Sequence, residues 1–339
     1  MNTQDALALH QRLLTLDTHI DIPWPEGPDP FEETRRCVDM PKMLRGGLSA
    51  GCFAAYVPQG PRTPEGHAGA TRRAGDMLRV IRGMGRRVAG LSAQVTVTAD
   101  QVEAARQAGA LAIIPAVENG YAVGTDLGNI ARFHELGARY LTLTHNGHNA
   151  LADSAIPRPD LGDAAEEHGG LSPLGRQAIG ELNRLGMLVD VSHVSRNGML
   201  QAAALSNTPV VATHSCIRAL CDHPRNLDDV QLDVLRETGG LVQITAVPGF
   251  LVRRGRAETV TVNDYVDHVE YAVRRIGIAH VGLSSDFDGG GGFTGWHDAG
   301  ETPNLTAALL QRGFGQDEIA ALWSGNFLRL MRRAEAEAE

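Results

Sequence analysis

The first apolar run of the chain ends in Asp17-Thr18-His19-Ile20-Asp21. On a strand, alternate side chains share a face, so Asp17, His19 and Asp21 point the same way. An imidazole and a carboxylate two residues apart at a strand end can converge on one cation. Glu118, His145, His193, His214, Asp286 and Asp288 occupy comparable places at the ends of later apolar runs. Imidazole nitrogen and carboxylate oxygen together suit a hard-to-borderline ion such as Zn2+. Taken singly, each has a plainer explanation, because a strand-end histidine is more often a hydrogen-bonded structural group. Asp17, and Asp190 inside its run, read as structural or supporting residues rather than ligands. The agreement of five or more separate strand ends points to metal-assisted hydrolysis.

Such residues need a frame that brings distant strand ends together. Strand candidates lie at 13–19, 48–57, 110–117, 139–144, 186–192, 209–213, 239–247 and 280–285. Most are near-continuous apolar runs, as in parallel strands buried on both faces. Helical patterns separate them, at 65–87, 99–108, 126–137, 172–185, 196–206, 227–238 and 262–276. Thr98 or Asp100 caps the second of these, Asn263 or Asp264 the last, and glycines 109, 137, 186 and 277 stop four of them. The alternation predicts an α/β protein with a parallel sheet, and eight strands predict closure into a (β/α)8 TIM barrel with its active site at the strands' C-terminal ends. Extra helices follow Pro303, and residues 1–339 read as one catalytic domain. A doubly wound open sheet is the runner-up, but no Gly-x-Gly-x-x-Gly turn follows the first strand. Three long loops, 22–46, 146–171 and 289–303, are expected to fold over the first strand's end, to form a lid or rim, and to be the most flexible segment, respectively.

Composition sets further bounds. At 339 residues, 43% hydrophobic and 21% charged, the chain has the make-up of a soluble globular enzyme. A formal charge of −9 argues against a nucleic-acid partner, which demands a basic patch. No stretch approaches the ~20 apolar residues of a membrane helix. The N-terminus lacks the basic and apolar regions of a leader, and the C-terminus ends in alternating Ala and Glu, so a cytoplasmic location with no membrane partner is the expectation. Cys37, Cys52, Cys216 and Cys221 show no zinc-finger spacing, and Cys216 reads as a small buried thiol. The chain's one lysine, Lys42, precedes the second strand. Many binuclear hydrolases on this fold bridge their metals with a carboxylated lysine at a strand end, which this chain lacks. Glu118 is then the natural bridge, because a carboxylate can give one oxygen to each of two metals ~3.5–4 Å apart.

With these residues in place, the chain resembles the renal (membrane) dipeptidase family of zinc peptidases, family M19, over nearly its whole length. The matching stretches are Asp17 to Asp21, Val117-Glu118, Tyr140 to Asn146, Asn149 to Ser154 and Gly186 to Ser195. Pro209 to Ser215, Pro224-Arg225-Asn226, Val281 to Gly289 and Ser324 to Arg329 complete the set. Each stretch alone is weak; together they are specific. The lack of an anchor signal makes the chain look more like the soluble bacterial members, some of which cleave dipeptides with a C-terminal D-residue.

The resemblance implies two Zn2+ per chain, one held by His19, Asp21 and Glu118, the other by Glu118, His193 and His214. A hydroxide between them would attack the peptide carbonyl, since coordination lowers water's pKa to about 7. Asp286 would take the proton and deliver it to the leaving amine. His145 would contact the substrate and stabilise its oxyanion. Arg225 would grip the substrate's C-terminal carboxylate through its guanidinium fork; without the resemblance it reads as a surface ion pair. The chain departs from the family's common pattern at Ile20, Asn119 and Ser284-Ser285, all beside the expected cavity, which puts substrate preference in question. The expected function is a binuclear zinc dipeptidase acting on small dipeptides, L-Xaa-D-Xaa ones among the candidates. The alternative is a metal-dependent amidohydrolase acting on a non-peptide amide or lactone. A binding protein with a vestigial site would lack a ligand or Asp286, and none is missing. Homodimers are common in the family, though no feature of this sequence demonstrates one.

Overall fold

The structure is a computed structural model that describes residues 3–22 and 27–339. Its strands are β1 (Leu16–Asp21), β2 (Ala50–Tyr56), β3 (Arg87–Val88), β4 (Leu91–Val95), β5 (Leu111–Glu118), β6 (Tyr140–Thr142), β7 (Leu188–Asp190), β8 (Val211–Ser215), β9 (Leu241–Ile244) and β10 (Val281–Leu283). Eight of them run in parallel in the order β1-β2-β5-β6-β7-β8-β9-β10. Consecutive order with helical crossovers is the topology of a barrel rather than of an open doubly wound sheet, whose order reverses at its middle. The barrel closes just beyond β10. There Asp21 N–H donates to Phe287 O at 3.0 Å and Asp286 N–H to His19 O at 3.1 Å.

The seven expected helices are present within a few residues of their expected bounds, for example Ala99–Gln107 and Val262–Ile276. Glycines 109, 137, 186 and 277 follow four of them with positive φ, as stop residues do. Thr98 accepts from Gln101 N–H, as its capping role requires. For the helix at 262–276 the cap is Thr261 rather than Asn263 or Asp264. Asp264 instead reaches back to Thr261 N–H at 2.8 Å, so it serves the cap from inside the first turn.

An antiparallel hairpin, β3–β4, lies between the first two long helices and joins the sheet where Ala93 pairs with Leu111. Its two-residue turn, Ala89 (φ 47°) and Gly90 (φ 92°), has both central residues left-handed, the twist that hairpins favour. The strands are short, with β3 exposed and β4 mostly half-buried, so no apolar run marks them.

Strand starts at the barrel floor (Leu16, Ala50, Ala112, Leu188, Val211 and Leu241) form one buried cluster with Phe327, Leu328 and Met331 of the helix Asn326–Ala336. The C-terminal helix therefore plugs the floor, leaving only the opposite end open. The expected loop 22–46 holds a short helix, Met40–Arg45, capped by Asp39. The segment before it covers the end of β1, where Arg36 donates to Asp21 O, and its Cys37 and Val38 N–H groups bond Asp288; residues 23–26 lie outside the described residues. The 146–171 segment is a stitched rim in which Asp153 accepts from the N–H groups of Glu167, His168 and Gly170. The glycine-rich stretch after β10, flexible by composition, is pinned by buried Phe293, Trp296 and Ala299. Among the described residues no helix is long and apolar enough to cross a membrane.

Candidate metal centre

At the open end, Glu118 terminates β5 and stands at the middle of a cluster. Its Oε2 lies 3.5 Å from His19 Nε2. Its Oε1 lies 3.1 Å from His193 Nε2 and 3.4 Å from His214 Nε2. One carboxylate thus faces two different sets of imidazoles with its two oxygens. On the His19 side, Asp21 Oδ1 is 3.6 Å and Asp286 Oδ1 3.9 Å from the same Nε2. The donor atoms fall into two groups within 4.8 Å, His19-Glu118-His214 and Glu118-His145-His193. That grouping places His145 beside His193, with ring centroids 4.2 Å apart. The split of Glu118's oxygens instead pairs His214 with His193. His214 and His193 both face Oε1, at 3.4 and 3.1 Å, which sets them on one side of the carboxylate and His19 on the other.

The sheet explains why these side chains meet. A one-residue bulge in β1 between Asp17 and Ile20 changes its register against β2, so strict alternation fails there. His19 and Asp21 reach the rim while Asp17 stays below it, accepting from Ser285 N–H at 2.9 Å and His19 N–H at 3.2 Å. Asp190 likewise is a supporting residue that accepts from Thr142, Ser192 and Thr213. His193 (φ 67°) and Asp286 (φ 60°) have left-handed backbones, unusual for residues with a Cβ. Such strain concentrates at sites where geometry has been fixed for function.

Three observations bear on whether a metal fits. His19 Nε2, His214 Nε2 and Asp21 Oδ1 are fully buried and have no hydrogen-bond partner. A buried polar atom left unpaired is costly, and these three border one space. Each ring's other nitrogen is occupied: Nδ1 of His19 by Tyr140 Oη, of His214 by Thr213 Oγ1, and of His193 by Asn146 Oδ1. Finally, the donors are imidazole and carboxylate, the set that binds zinc-like ions. These residues fit divalent cations.

The electrostatics agree. Burial penalises a charge on His19, yet Glu118, Asp21 and Asp286 outweigh it and hold its pKa well above the usual histidine value. Burial and then the charge on His19 push His214 down to about 3. Burial, with Asp21 and Glu118 nearby, raises Asp286 well above the carboxylate range against the opposing pull of His19 and Arg225. The cluster calls for positive charge but has room for few protons.

The centre forms the floor of a cavity of about 610 Å3, also lined by Tyr56, His145, His223, Arg225, Val247 and Phe250. Arg225 is only 3% exposed, which overturns the surface ion-pair reading. It donates from Nη2 to His214 O at 3.2 Å and lies 5.4 Å above the Phe250 ring. Its Nε has no partner, and among the described residues no carboxylate lies within ion-pair distance of it. Burial lowers its pKa to about 10 even though Asp286, Glu118 and Asp190 lie in its field. Asp288, a strand-end candidate, does not join the metal cluster. It is spent on Arg36 at 3.0 Å and on the two loop N–H groups. Lys42 pairs with Asp39, away from the centre. Sequence reasoning missed Tyr56, which faces Glu118 across the β2–β5 pair and stacks edge-on against His145 at 4.8 Å. Its place at the end of a strand was the available signal. Phe250 lies in a four-residue helix, Pro248–Leu251, with Val247 as its N-cap residue, and His223 on a loop, and no pattern marked them.

An eight-stranded parallel barrel whose strand ends pool imidazoles and carboxylates over a cavity belongs to the class of metal-dependent hydrolases. Comparison with known proteins narrows this. The family model for membrane dipeptidase, peptidase family M19, matches residues 3–339, and the chain belongs to that metallopeptidase family. It is 38% identical over 238 residues to Dipeptidase tcpJ of Claviceps purpurea, covering 70% of this chain and 54% of that protein; it therefore spans about half of that relative's length. The probable dipeptidase PvdM from Pseudomonas aeruginosa superposes with a TM-score of 0.94 at 30% identity, over 99% of both chains. A metallo peptidase from Rhodobacter sphaeroides, solved with a phosphinate mimic of the dipeptide L-Ala-D-Ala, superposes with a TM-score of 0.80 at 28% identity, over 95% of this chain and 99% of that one.

Proposed function

We propose that this chain is a binuclear zinc dipeptidase, a single catalytic domain that hydrolyses small dipeptides, with L-Xaa-D-Xaa dipeptides among its substrates. The observation that carries the substrate reading is Arg225, a buried guanidinium on the cavity wall with a free Nε and no anion of its own. Burying a charge without a partner costs several kcal/mol in order of magnitude, a cost that a bound carboxylate would offset. A free dipeptide brings that carboxylate at a fixed distance from its one peptide bond.

His19, Asp21 and Glu118 would hold one zinc, and Glu118, His193 and His214 the other. When bound, the pair would supply Lewis acidity and a water acidic enough to react near neutral pH. The chain's own groups do the rest. Arg225 fixes the C-terminal carboxylate and so sets where the scissile carbonyl stops. His145 has no side-chain hydrogen bond of its own among the described residues and, with Tyr56, borders the cavity next to Glu118. It would donate to the carbonyl oxygen as negative charge develops there. Asp286, 3.9 Å from His19 Nε2 on the cavity wall, would hold the proton taken from water and return it to the departing amine. The Rhodobacter protein's dipeptide mimic supports this substrate class.

The test is metal analysis of purified protein together with a panel of L-L and L-D dipeptides, each also N-acylated and C-amidated. Cleavage confined to free-carboxylate dipeptides, with two zincs per chain, is the expected result. Equal activity on amidated substrates would favour the amidohydrolase alternative.

A further inference from the structure

We infer that Tyr140 and Thr213 are positioning residues that lock His19 and His214 in the tautomer presenting Nε2 to a cation. The inference rests on the two-cation reading of the centre and concerns residues that touch neither substrate nor metal. Tyr140 sits on β6 inside the barrel, fully buried beneath the centre. Its hydroxyl has one proton and two neighbours, Thr18 O at 3.0 Å and His19 Nδ1 at 2.9 Å. A backbone carbonyl can only accept, so the proton goes to Thr18. The phenol oxygen is then an acceptor toward His19, and Nδ1 must carry the ring's hydrogen. In the neutral ring Nε2 is left as a bare lone pair, aimed at the space shared with Asp21 and Glu118.

His214 is fixed by a different relay with the same outcome. Thr213 Oγ1 lies 2.7 Å from Asp190 Oδ2 and 2.9 Å from His214 Nδ1. Asp190 accepts four hydrogen bonds, from Thr142 Oγ1, Thr213 Oγ1, Ser192 N and Thr213 N. The threonine proton therefore goes to the carboxylate, and its oxygen receives Nδ1–H from His214. One relay ends on a neutral carbonyl and the other on a buried carboxylate, so each ring has an oriented partner of its own, although Thr18 Oγ1 also donates to Thr213 O at 3.0 Å. Hydrogen-bonded partners of this kind typically change metal affinity by ~10–100-fold.

The experiment uses the full chain, stripped of metal and titrated with Zn2+ against a chelating indicator. Tyr140→Phe and Thr213→Val keep the packing volume nearly unchanged while removing the relay oxygen. Each is expected to weaken one of two binding steps by ~10–100-fold and to leave the other step near wild type. Thr213→Ser restores the hydroxyl and should restore the affinity, which a purely structural role of the threonine methyl would not produce. In parallel, 15N-histidine spectra of the metal-free wild type, at a pH where the rings are neutral, should show His19 and His214 protonated at Nδ1. Wild-type affinity in both Tyr140→Phe and Thr213→Val, or either ring protonated at Nε2, overturns the inference. Absence of zinc uptake by the wild type would instead remove the two-cation reading, and the spectra would still decide the relays.

Discussion

Gly289 lies so close to Asp286 that a Cβ placed on it would fall 2.4 Å from Asp286 Oδ1, and 2.8 Å from Asp21 Oδ2. The atoms in the way are carboxylate ends, which can swing aside at little cost to folding. Swinging aside takes them from the positions the proposed chemistry needs. Gly289→Ala should therefore leave the melting temperature almost unchanged while lowering turnover, up to ~10²-fold if the carboxylates move by about 1 Å. Steady-state kinetics alongside thermal unfolding check this, and undiminished turnover would show that Asp286 has slack.

Asp286 Oδ1 lies 3.9 Å from His19 Nε2, and the proposed assignment makes it a proton carrier rather than a ligand. Asp286→Asn keeps its shape and removes its ability to carry a proton. Metal content should stay near two per chain, while kcat falls by ~10² or more, the usual size of an acid–base contribution. Loss of a zinc equivalent would mark Asp286 as a ligand instead, and unchanged kcat would exclude it from proton transfer.

Removing the guanidinium should separate binding from chemistry. Arg225→Ala is expected to raise KM for free dipeptides by one to two orders of magnitude, roughly the worth of a charge-assisted pair. It should have little further effect on C-amidated analogues. An equal loss on both would mean that Arg225 supports the fold of the cavity and reads no carboxylate.

Metal uptake should depend on pH in a definite direction. In the metal-free chain the carboxylates around His19 hold its pKa well above 6.5, and its proton occupies the face that a cation would use. As pH rises through that folded value the proton leaves, so zinc affinity should climb and binding near neutrality should release protons. The same raised pKa means that protonated His19 stabilises the metal-free fold fully below 6.5 and loses that contribution as pH rises. Calorimetry in two buffers of different ionisation enthalpy measures the release. A buffer-independent binding heat would contradict it.

Much of this arrangement is legible in the chain itself, for identifiable reasons. Parallel strands buried on both faces are apolar along their length, so His19, Glu118 and His214 stand out as polar groups at the ends of such runs. The hairpin at 87–95 has neither an apolar run nor a common turn pair, since Ala89 rather than Asn or Gly takes the first left-handed position. The bulge in β1 is equally invisible, because a one-residue register shift is set by the pairing with β2 and leaves no mark in composition. Tyr140 looks like an ordinary core aromatic, because hydrogen-bond direction is a property of three dimensions. Asp288 shows the opposite error, a strand-end acid whose oxygens are taken by the loop at Arg36 to Val38.

His19 and Asp286 come from opposite ends of the chain and are joined by the bond that shuts the barrel. On the proposed assignment the groups that would react meet only when the segment after β10 closes against β1, so a chain cut short of that segment cannot assemble them. Chains that end before Asp286 should then cleave no dipeptide, whatever ions they encounter.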